Sequence, residues 1–305
     1  MMQAACLRAR GGPEALECGR VPLPTPGDGE ILVRVHAAAV TPSELLWAPT
    51  WTTRAGAPRP FPVIPGHEFS GTVHAVGPGT PVAAGAAVFG MNDWFLDGVQ
   101  AEFCVARAAD VVAKPPSVDH AHAAATPISA LTAWQGLIER GRLAAGERVL
   151  IHGAAGAVGL FAVQVAKWRG AHVIATASAH NVAFVRELGA DEVIDYRAQR
   201  FEDAAGAVDV VFDTVGGETL AHSWDLLGPS GRMVTIAAAG EQTQEPRVRD
   251  AFFIVEANAQ QLAAVADMMA AGRLRAVVSQ VFALADVRAA YEHKPVHGKA
   301  VLAIG

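Results

Sequence analysis

Apolar and polar residues alternate in several segments of the first 120 residues, a pattern typical of half-buried strands. The segment 30–40, EILVRVHAAAV, begins with this alternation, and EFSGTVHAVG at 68–77 and AAVFGM at 86–91 are further predicted strands. Turns rich in glycine and proline separate these segments. Short strands between dense turns predict a small β-sheet or barrel for this part of the chain.

Strands and helices begin to alternate near Pro127. Five strands are predicted there, at 147–153, 172–177, 192–196, 209–217 and 232–238. A helix follows the first of them, with Val158, Phe161, Val165 and Trp168 at helical spacing and Gly170 as its stop. Alternating β and α units imply a parallel sheet with right-handed crossovers. A helix at 258–274, the segment 277–282, a short helix and the segment 299–305 close the chain.

A glycine-rich turn joins the first of these strands to its helix. Its residues are Gly153, Ala154, Ala155, Gly156, Ala157, Val158 and Gly159. In this context the first glycine allows a tight turn, the second lets the backbone approach a pyrophosphate, and the third permits close packing of helix on strand. Amides at the helix N-terminus then face the phosphates. The spacing G-x-x-G-x-x-G differs from the standard dinucleotide fingerprint, so a packing turn is the alternative.

The end of the second strand bears on the choice of dinucleotide. A site for NAD usually places Asp or Glu about 20 residues after the turn, but no acid occurs between Gly159 and Glu187. Ser178 is able to donate a hydrogen bond to a 2′-phosphate, and His180 or Arg197 to add positive charge. We therefore predict NADP(H) as the cofactor. The alternative for His180 is a solvated residue at a helix start.

Composition and charge narrow the function classes. Hydrophobic residues make up 51% of the 305 residues and charged residues 18%, so the chain is able to bury a large core. The net charge of −6 gives no electrostatic case for nucleic acid or an anionic membrane surface as partner. Two uncharged stretches, 121–138 and 149–166, are interrupted by Gly, Pro or His, so we expect buried structure rather than membrane spans.

Three scattered cysteines and an N-terminus without an apolar segment bear on the compartment. Such cysteines fit a reducing environment rather than a disulfide framework, and the N-terminus predicts no secretory signal. We therefore expect a cytoplasmic protein.

Several longer motifs carry a family resemblance. They are PGHEFSGTVHAVG (65–77), AATPISALTAWQGL (124–137), VLIHGAAGAVG (149–159), LGADEVIDY (188–196), FDTVGG (212–217) and HGKAVL (297–302). In this order they resemble the medium-chain dehydrogenase/reductase superfamily, on the side of its zinc-free quinone oxidoreductases, the zeta-crystallin-like enzymes. The resemblance covers nearly the whole chain.

The resemblance implies an α/β fold with two domains. A GroES-like β-rich catalytic domain is expected at 1–122 and 272–305, and a Rossmann NADP(H)-binding domain with a doubly wound parallel sheet at 123–271. The resemblance also implies that NADPH and substrate bind in the cleft, and that the protein is a homodimer through the Rossmann sheet edge.

The same resemblance bears on zinc. A catalytic zinc needs three protein ligands, and His67 and Glu68 match the family pattern. By similarity, however, the expected cysteines fall at Thr41 and near Ile128, neither of which supplies a thiolate. The cysteine-rich structural zinc site is also unsupported by three scattered cysteines. We expect no metal, a hydrogen-bonded structural role for His67, and a buried strand position for Cys104.

Chemistry without a Lewis acid favours electron-poor acceptors, because polarising a simple ketone then becomes difficult. We therefore predict an NADPH-dependent reductase of quinones or α,β-unsaturated carbonyl compounds (enones), in which water or a relay through the Thr41 hydroxyl supplies the proton. Two alternatives stay open. One is a non-catalytic NADPH-binding structural or sensor protein, since Thr41 replaces the asparagine of many quinone oxidoreductases. The other is a zinc alcohol dehydrogenase, which the missing cysteines disfavour.

Similarity also implies individual site residues. The predicted catalytic and substrate-lining residues are Thr41, Trp47, Met91, Asn92 and Trp94. The predicted cofactor-binding residues are Pro42, Thr132, Gly153, Gly156, Ala157, Val158, Gly159, Thr176, Ser178, His180, Tyr196, Asp213, Thr214, Val215, Ile236, Ala237, Phe253, Val255 and Lys299. The alternatives are core packing for the apolar residues and a solvated charge for Lys299.

Overall fold

The structure is a computed structural model that describes residues 1–237 and 243–305. Contacts between Cα atoms divide the chain into two compact units, residues 1–128 with 257–305 (the first unit) and residues 129–256 (the second unit). The predicted domain ranges, 1–122 with 272–305 and 123–271, stay a prediction. The units differ from them chiefly in residues 257–271, which group with the first unit.

The described strands follow in chain order. They are β1 (Met2–Leu7), β2 (Leu16–Val21), β3 (Glu30–Ala39), β4 (Glu68–Val76), β5 (Ala87–Met91), β6 (Phe103–Arg107), β7 (Val111–Ala113), β8 (Arg148–Ile151), β9 (His172–Ala177), β10 (Glu192–Asp195), β11 (Val208–Asp213), β12 (Leu227–Thr235), β13 (Val278–Ala283) and β14 (Lys299–Ala303).

The helices are shorter on average than the sequence pattern suggested. They are α1 (Ala48–Trp51), α2 (His120–Ala124), α3 (Pro127–Trp134), α4 (Gly159–Arg169), α5 (Val182–Glu187), α6 (Phe201–Ala204), α7 (Gly217–Ser223), α8 (Pro246–Ala251), α9 (Ala259–Ala270) and α10 (Val287–Glu292). A π-helical segment, Gln135–Arg140, extends α3. Short 3₁₀ turns include Pro42–Leu46, between β3 and α1, and Ala179–Asn181, after β9.

A seven-stranded sheet organises the first unit. Its order is β13-β14-β3-β4-β5-β7, and β6 pairs with β3. The three strands predicted at 30–40, 68–77 and 86–91 are confirmed as β3, β4 and β5. Strand β14 pairs antiparallel with β3, so the end of the chain returns to the first unit. Phe69, Leu302 and Tyr291 belong to the hydrophobic core of this unit.

A five-stranded parallel sheet organises the second unit. Its order is β10-β9-β8-β11-β12, so the direction of strand succession reverses between β8 and β11, as in Rossmann folds. The strand β9 is apolar and almost wholly buried, as a strand covered on both faces requires. The predicted α/β class, with a parallel Rossmann sheet in one unit and a β-rich second part, is confirmed.

Several strand boundaries differ from the prediction. Strand β11 ends at Asp213 instead of residue 217, because the Asp213 carboxylate accepts the backbone N–H groups of Val215 and Gly216 and turns the chain. Strand β12 begins at Leu227, five residues before the predicted start, and ends at Thr235. Residue 238, the predicted end, lies outside the described residues.

The two uncharged stretches form ordinary buried elements. Residues 121–138 fall on α2, α3 and the π-helical segment, and residues 149–166 on β8, the glycine turn and α4. Within residues 1–237 and 243–305, no helix is both long and apolar enough to span a bilayer.

Candidate functional site

The glycine turn between β8 and α4 requires glycine at two positions. Gly153 has a φ of +69°, and a Cβ atom at Gly159 would lie 2.7 Å from the Cα atom of Ala154. The N–H of Gly156 donates to the carbonyl oxygen of Gly153 and closes the turn. No side chain of the described residues caps the N-terminus of α4. This geometry fits a dinucleotide, whose pyrophosphate would be held by backbone amides.

A fully buried histidine fixes this turn. The Ser223 hydroxyl donates to the Thr219 carbonyl (2.6 Å), so Ser223 Oγ accepts from Nε2–H of His152 (2.9 Å). His152 Nδ1 then accepts from the Thr176 hydroxyl (3.0 Å), and burial lowers the pKa of the imidazole to about 4. The Thr176 hydroxyl therefore positions His152, and the predicted contact of Thr176 with the cofactor stays a prediction.

The side chains of Asp213, the last residue of β11, and of Thr214, which follows it, also hold the turn in place. The Thr214 hydroxyl donates to the His152 carbonyl oxygen (2.8 Å). The Asp213 carboxylate is fully buried and accepts from the N–H groups of Val215 and Gly216 and from the Thr235 hydroxyl (2.8 Å). The Asp213 carboxylate therefore holds this turn in place, and the predicted contact of Asp213 with the cofactor stays a prediction. The Val215 side chain is exposed beside the turn.

The end of β12 meets the segment 252–255. The predicted cofactor residues here are Ile236, Ala237, Phe253 and Val255. The Phe253 N–H donates to the Thr235 carbonyl oxygen (3.3 Å), and the Arg140 guanidinium lies 5.5 Å from the centre of the Phe253 ring. Phe253 and Val255 are buried, as is Thr132 on α3. Their contact with a cofactor stays a prediction.

The carboxyl ends of β9 and β10 bring together the residues predicted to bind a 2′-phosphate. Ser178 Oγ lies 3.3 Å from His180 Nε2, and the Tyr196 N–H donates to the Ala177 carbonyl oxygen (3.3 Å). The Arg197 guanidinium lies 5.7 Å from the centre of the Tyr196 ring, which is 52% exposed. A hydroxyl, an imidazole and a guanidinium therefore share this edge.

An acidic residue missed by the sequence analysis also lies there. Asp195, the last residue of β10, is paired in register with Ala177. Counting residues along the chain could not find it, because the sheet and not the sequence brings it beside β9. Its carboxylate accepts the backbone N–H of Arg197 (3.1 Å).

In the first unit, a buried ion pair lies beside Thr41. Lys299, the first residue of β14, is only 6% exposed, and its Nζ atom contacts both Glu68 Oε1 and Thr41 Oγ1, the latter at 3.3 Å. The other Glu68 oxygen accepts the Ile128 N–H (3.0 Å). Lys299 is therefore not a solvated charge at a strand start, and its predicted contact with the cofactor stays a prediction.

A second buried carboxyl group, Glu44, was not predicted. It lies on the 3₁₀ turn after Thr41 and accepts from the Tyr291 hydroxyl and the Gly66 N–H (3.1 Å). Burial raises the pKa of Glu44 to about 7, although the bonds from Tyr291 and Gly66 oppose the shift. The signal in the sequence was a single carboxylate in an otherwise uncharged run, three residues after Thr41.

Aromatic side chains form an edge-to-face row in the same unit. The ring centres of Trp47 and Trp94 are 5.1 Å apart, and those of Trp94 and His67 are 5.0 Å apart. Burial and the Arg59 guanidinium lower the pKa of His67 to about 4, so the ring is neutral. His67 Nδ1 has no hydrogen-bond partner in the described ranges, and Nε2 lies 4.0 Å from Glu44 Oε2. A backbone hydrogen bond with Asp93 opposes the lowering of this pKa, so the expected hydrogen-bonded role of His67 stands beside its ring packing.

Two predicted substrate-lining residues are turned inward. Met91 is 1% exposed on β5, where it is paired in register with Glu68. The Asn92 side chain is fully buried and donates to the Val105 carbonyl oxygen (2.9 Å). This amide therefore braces β6, and the predicted catalytic or substrate-lining role of Asn92 stays a prediction.

The residues at the place expected for a catalytic zinc do not fit the ion. Thr41 offers a hydroxyl instead of a thiolate, Glu68 is bonded to Lys299, and the Ile128 side chain has no donor atom. In the part of the chain that the structure describes, no group of three or more His, Cys, Asp or Glu side chains is placed to hold a metal. Cys104 is buried on β6, as predicted.

Comparisons with known proteins agree with this architecture. A family model described as alcohol dehydrogenase GroES-like domain matches residues 27–116, and one described as zinc-binding dehydrogenase matches residues 188–302. The chain is 30% identical over 311 residues to a probable mitochondrial zinc-binding oxidoreductase of Arthroderma benhamiae, covering 95% of this chain and 92% of that protein.

Two further matches bear the name of quinone oxidoreductases. A chloroplastic quinone-oxidoreductase homolog of Spinacia oleracea is 38% identical over 231 residues, covering 72% of this chain and 68% of that protein. The solved structure of the quinone oxidoreductase from Coxiella burnetii superposes with a TM-score of 0.89 at 28% identity, covering 100% of this chain and 99% of that one.

Proposed function

Because the chain belongs to the quinone oxidoreductase-like family of the medium-chain dehydrogenase/reductase superfamily, we propose that this oxidoreductase uses NADPH to reduce quinones or enones by hydride transfer, without zinc. Members of this family generally use nicotinamide cofactors. The main support for a quinone or enone as acceptor is the Thr41 hydroxyl, which contacts Lys299. Among the described residues, the side chains around it do not form a group that could hold a metal ion.

The proposal assigns dinucleotide binding to the second unit. The nicotinamide, when bound, supplies the hydride. Amides of the turn between Gly153 and Gly159 bind the pyrophosphate, and the buried His152 keeps that turn in place. Ser178, His180 and Arg197 bind the 2′-phosphate, which supports NADPH over NADH.

The proposal assigns acceptor orientation to the first unit. Quinones and enones are flat and conjugated, and they pack well against aromatic rings such as Trp47 and Trp94. Hydride arrival at a conjugated carbon moves an electron pair onto the carbonyl oxygen. A hydroxyl donor such as Thr41 stabilises that developing charge without a metal. A proton from water then completes the reduction.

The test is a panel of acceptors measured with NADPH and NADH in parallel. Oxidation of NADPH by quinones or enones, but not by simple ketones, is the expected result. Tight NADPH binding without turnover on any acceptor would instead favour a non-catalytic binding protein. One bound zinc per subunit, with activity lost on chelation, would favour an alcohol dehydrogenase.

Assembly and location are further proposals. We propose a homodimer in the cytoplasm with a small-molecule substrate as its ligand. Sedimentation of the purified chain tests the dimer, and fractionation of its source cells tests the location.

A further inference from the structure

The ammonium group of Lys299 is held in a fixed place. Its Nζ atom is bonded to Glu68 Oε1 and lies 3.3 Å from Thr41 Oγ1. The other Glu68 oxygen is anchored by the Ile128 N–H on α3. Glu68 and Lys299 are both almost fully buried, at 0% and 6% exposure. A buried ammonium with an anchored carboxylate partner keeps its position.

The contact fixes the direction of the Thr41 hydroxyl. An ammonium group has three N–H donors and no acceptor. Thr41 Oγ1 therefore accepts from Lys299, and the hydroxyl hydrogen is left to donate to a different group. Thr41 is only partly buried, so a ligand is able to receive that bond. Accepting a bond from a cation also strengthens a hydroxyl as a donor.

We propose that Lys299 is a positioning residue for the reaction, which it assists by orienting and polarising the Thr41 hydroxyl. This inference rests on the proposed function. Hydride adds to the conjugated carbon of the acceptor, the π-electron pair moves to the carbonyl oxygen, and the cofactor is oxidised. The Thr41 hydroxyl donates a hydrogen bond to that oxygen, and water supplies the proton.

The proposal also accounts for the misfit with zinc. Thr41 and Glu68 stand where similarity places two metal-binding positions, and here Lys299 bridges them. The charge at this place is carried by the protein itself. The oxygen atoms of Thr41 and Glu68 do not fit a zinc ion, but they are able to accept hydrogen bonds from the Lys299 ammonium group.

A double-mutant cycle tests whether Lys299 acts through Thr41. Lys299→Met and Glu68→Gln are made together, because removing one partner alone would leave an uncompensated buried charge. This neutral pair is compared with wild type, and again in a Thr41→Val background. The measurements are kcat and KM for an enone, the Kd for NADPH, and the Tm.

We expect the neutral pair to lower kcat about tenfold or more when Thr41 is present, with the Kd for NADPH within about twofold of wild type. In the Thr41→Val background the same pair should change kcat by less than about twofold, because the group that Lys299 acts through is already gone. Thr41→Ser, which keeps the hydroxyl, should retain most of the wild-type kcat.

Equal losses of kcat in both backgrounds would overturn the inference and leave the proposed function intact. If the neutral pair does not fold, Lys299→Arg replaces it in the cycle. This variant keeps the charge but moves the donor, and it should lower kcat only where Thr41 is present. A wild-type chain without turnover on any acceptor would overturn the proposed function and this inference together.

Discussion

Glu44 connects two distant parts of the first unit through a short chain of hydrogen bonds. The Tyr291 hydroxyl contacts Glu44 Oε1 and lies 3.1 Å from Gln100 Oε1. When Glu44 is neutral, it is able to donate to Tyr291, which then donates to Gln100. When Glu44 is ionised, Tyr291 donates to it instead. Burial favours the neutral form and accounts for the raised pKa.

This shift predicts how stability depends on pH. The folded pKa of Glu44 is about 7, above the ordinary value of 4.5, so the folded state keeps a proton that the unfolded state releases. The stabilisation is fully present below about pH 4.5 and is lost as the pH rises through 7. We expect the free energy of unfolding of wild type to fall, relative to Glu44→Gln, between pH 5 and pH 8 in urea titrations.

The exposed Glu292, on the same helix as Tyr291, supplies the control. Glu292→Gln should keep the pH dependence of wild type. A difference between wild type and Glu44→Gln that stays constant from pH 5 to pH 8 would contradict the assignment.

His180 and Arg197 follow β9 and β10, and substituting either of them is predicted to change the preference between NADPH and NADH. Arg197→Ala or His180→Ala should raise the KM for NADPH about tenfold, because each removes a charge-assisted bond to a phosphate that NADH lacks. The KM for NADH should hardly change. Arg186→Ala, an exposed arginine on α5, is the matched control. Equal losses with both cofactors would show that these side chains do not discriminate between them.

At the scale of elements, the glycine turn and α4 act as one unit. A Cβ atom at Gly159 would meet backbone atoms of Gly153 and Ala154, which cannot move as a flexible side chain would. Gly159→Ala should therefore weaken NADPH binding about tenfold or more and lower the Tm. Gly228→Ala, on β12 in open space, should leave NADPH affinity unchanged. Fluorescence titration and thermal melts measure both effects.

The predictable elements are those with a strong local pattern. Strands β3 and β9 and helix α4 follow their apolar periodicity closely, and the glycine turn is contiguous in sequence. Strand β1 was missed because its Ala and Cys residues are small and are buried on both faces, so they do not alternate. Strand β7 has only three residues, too few for a period.

The polar clusters of the candidate site could not be predicted in the same way. The Tyr291–Glu44 bond joins residues 247 positions apart, and the Lys299–Glu68 pair spans 231 positions. A local pattern carries no information about such pairs, which exist only after the sheet has formed. Similarity identified Lys299 and Thr41 as site residues but did not indicate that they touch each other.

At the scale of the whole molecule, the first unit depends on both ends of the described chain. Leu302 on β14 is fully buried in its core, whereas Val281 on the neighbouring β13 is 49% exposed. Leu302→Ala should cost about 2–5 kcal/mol of unfolding free energy. Val281→Ala should stay within about 0.5 kcal/mol of wild type. Denaturant titrations give both values, and similar losses for the two variants would contradict the core assignment.

The pairing of β14 with β3 has a consequence for synthesis on the ribosome. Ala39 leaves the ribosome about 260 residues before its partner Val301, which takes on the order of tens of seconds at common translation rates. The strands of the second unit, from β8 to β12, emerge within that interval. During it, residues 37–39 of β3 lack their final neighbour, whereas residues 30–34 are able to pair with β6, and such an open stretch of edge is a template for wrong pairing. We therefore expect the nascent chain to bind a chaperone until β14 has been synthesised and pairs with β3.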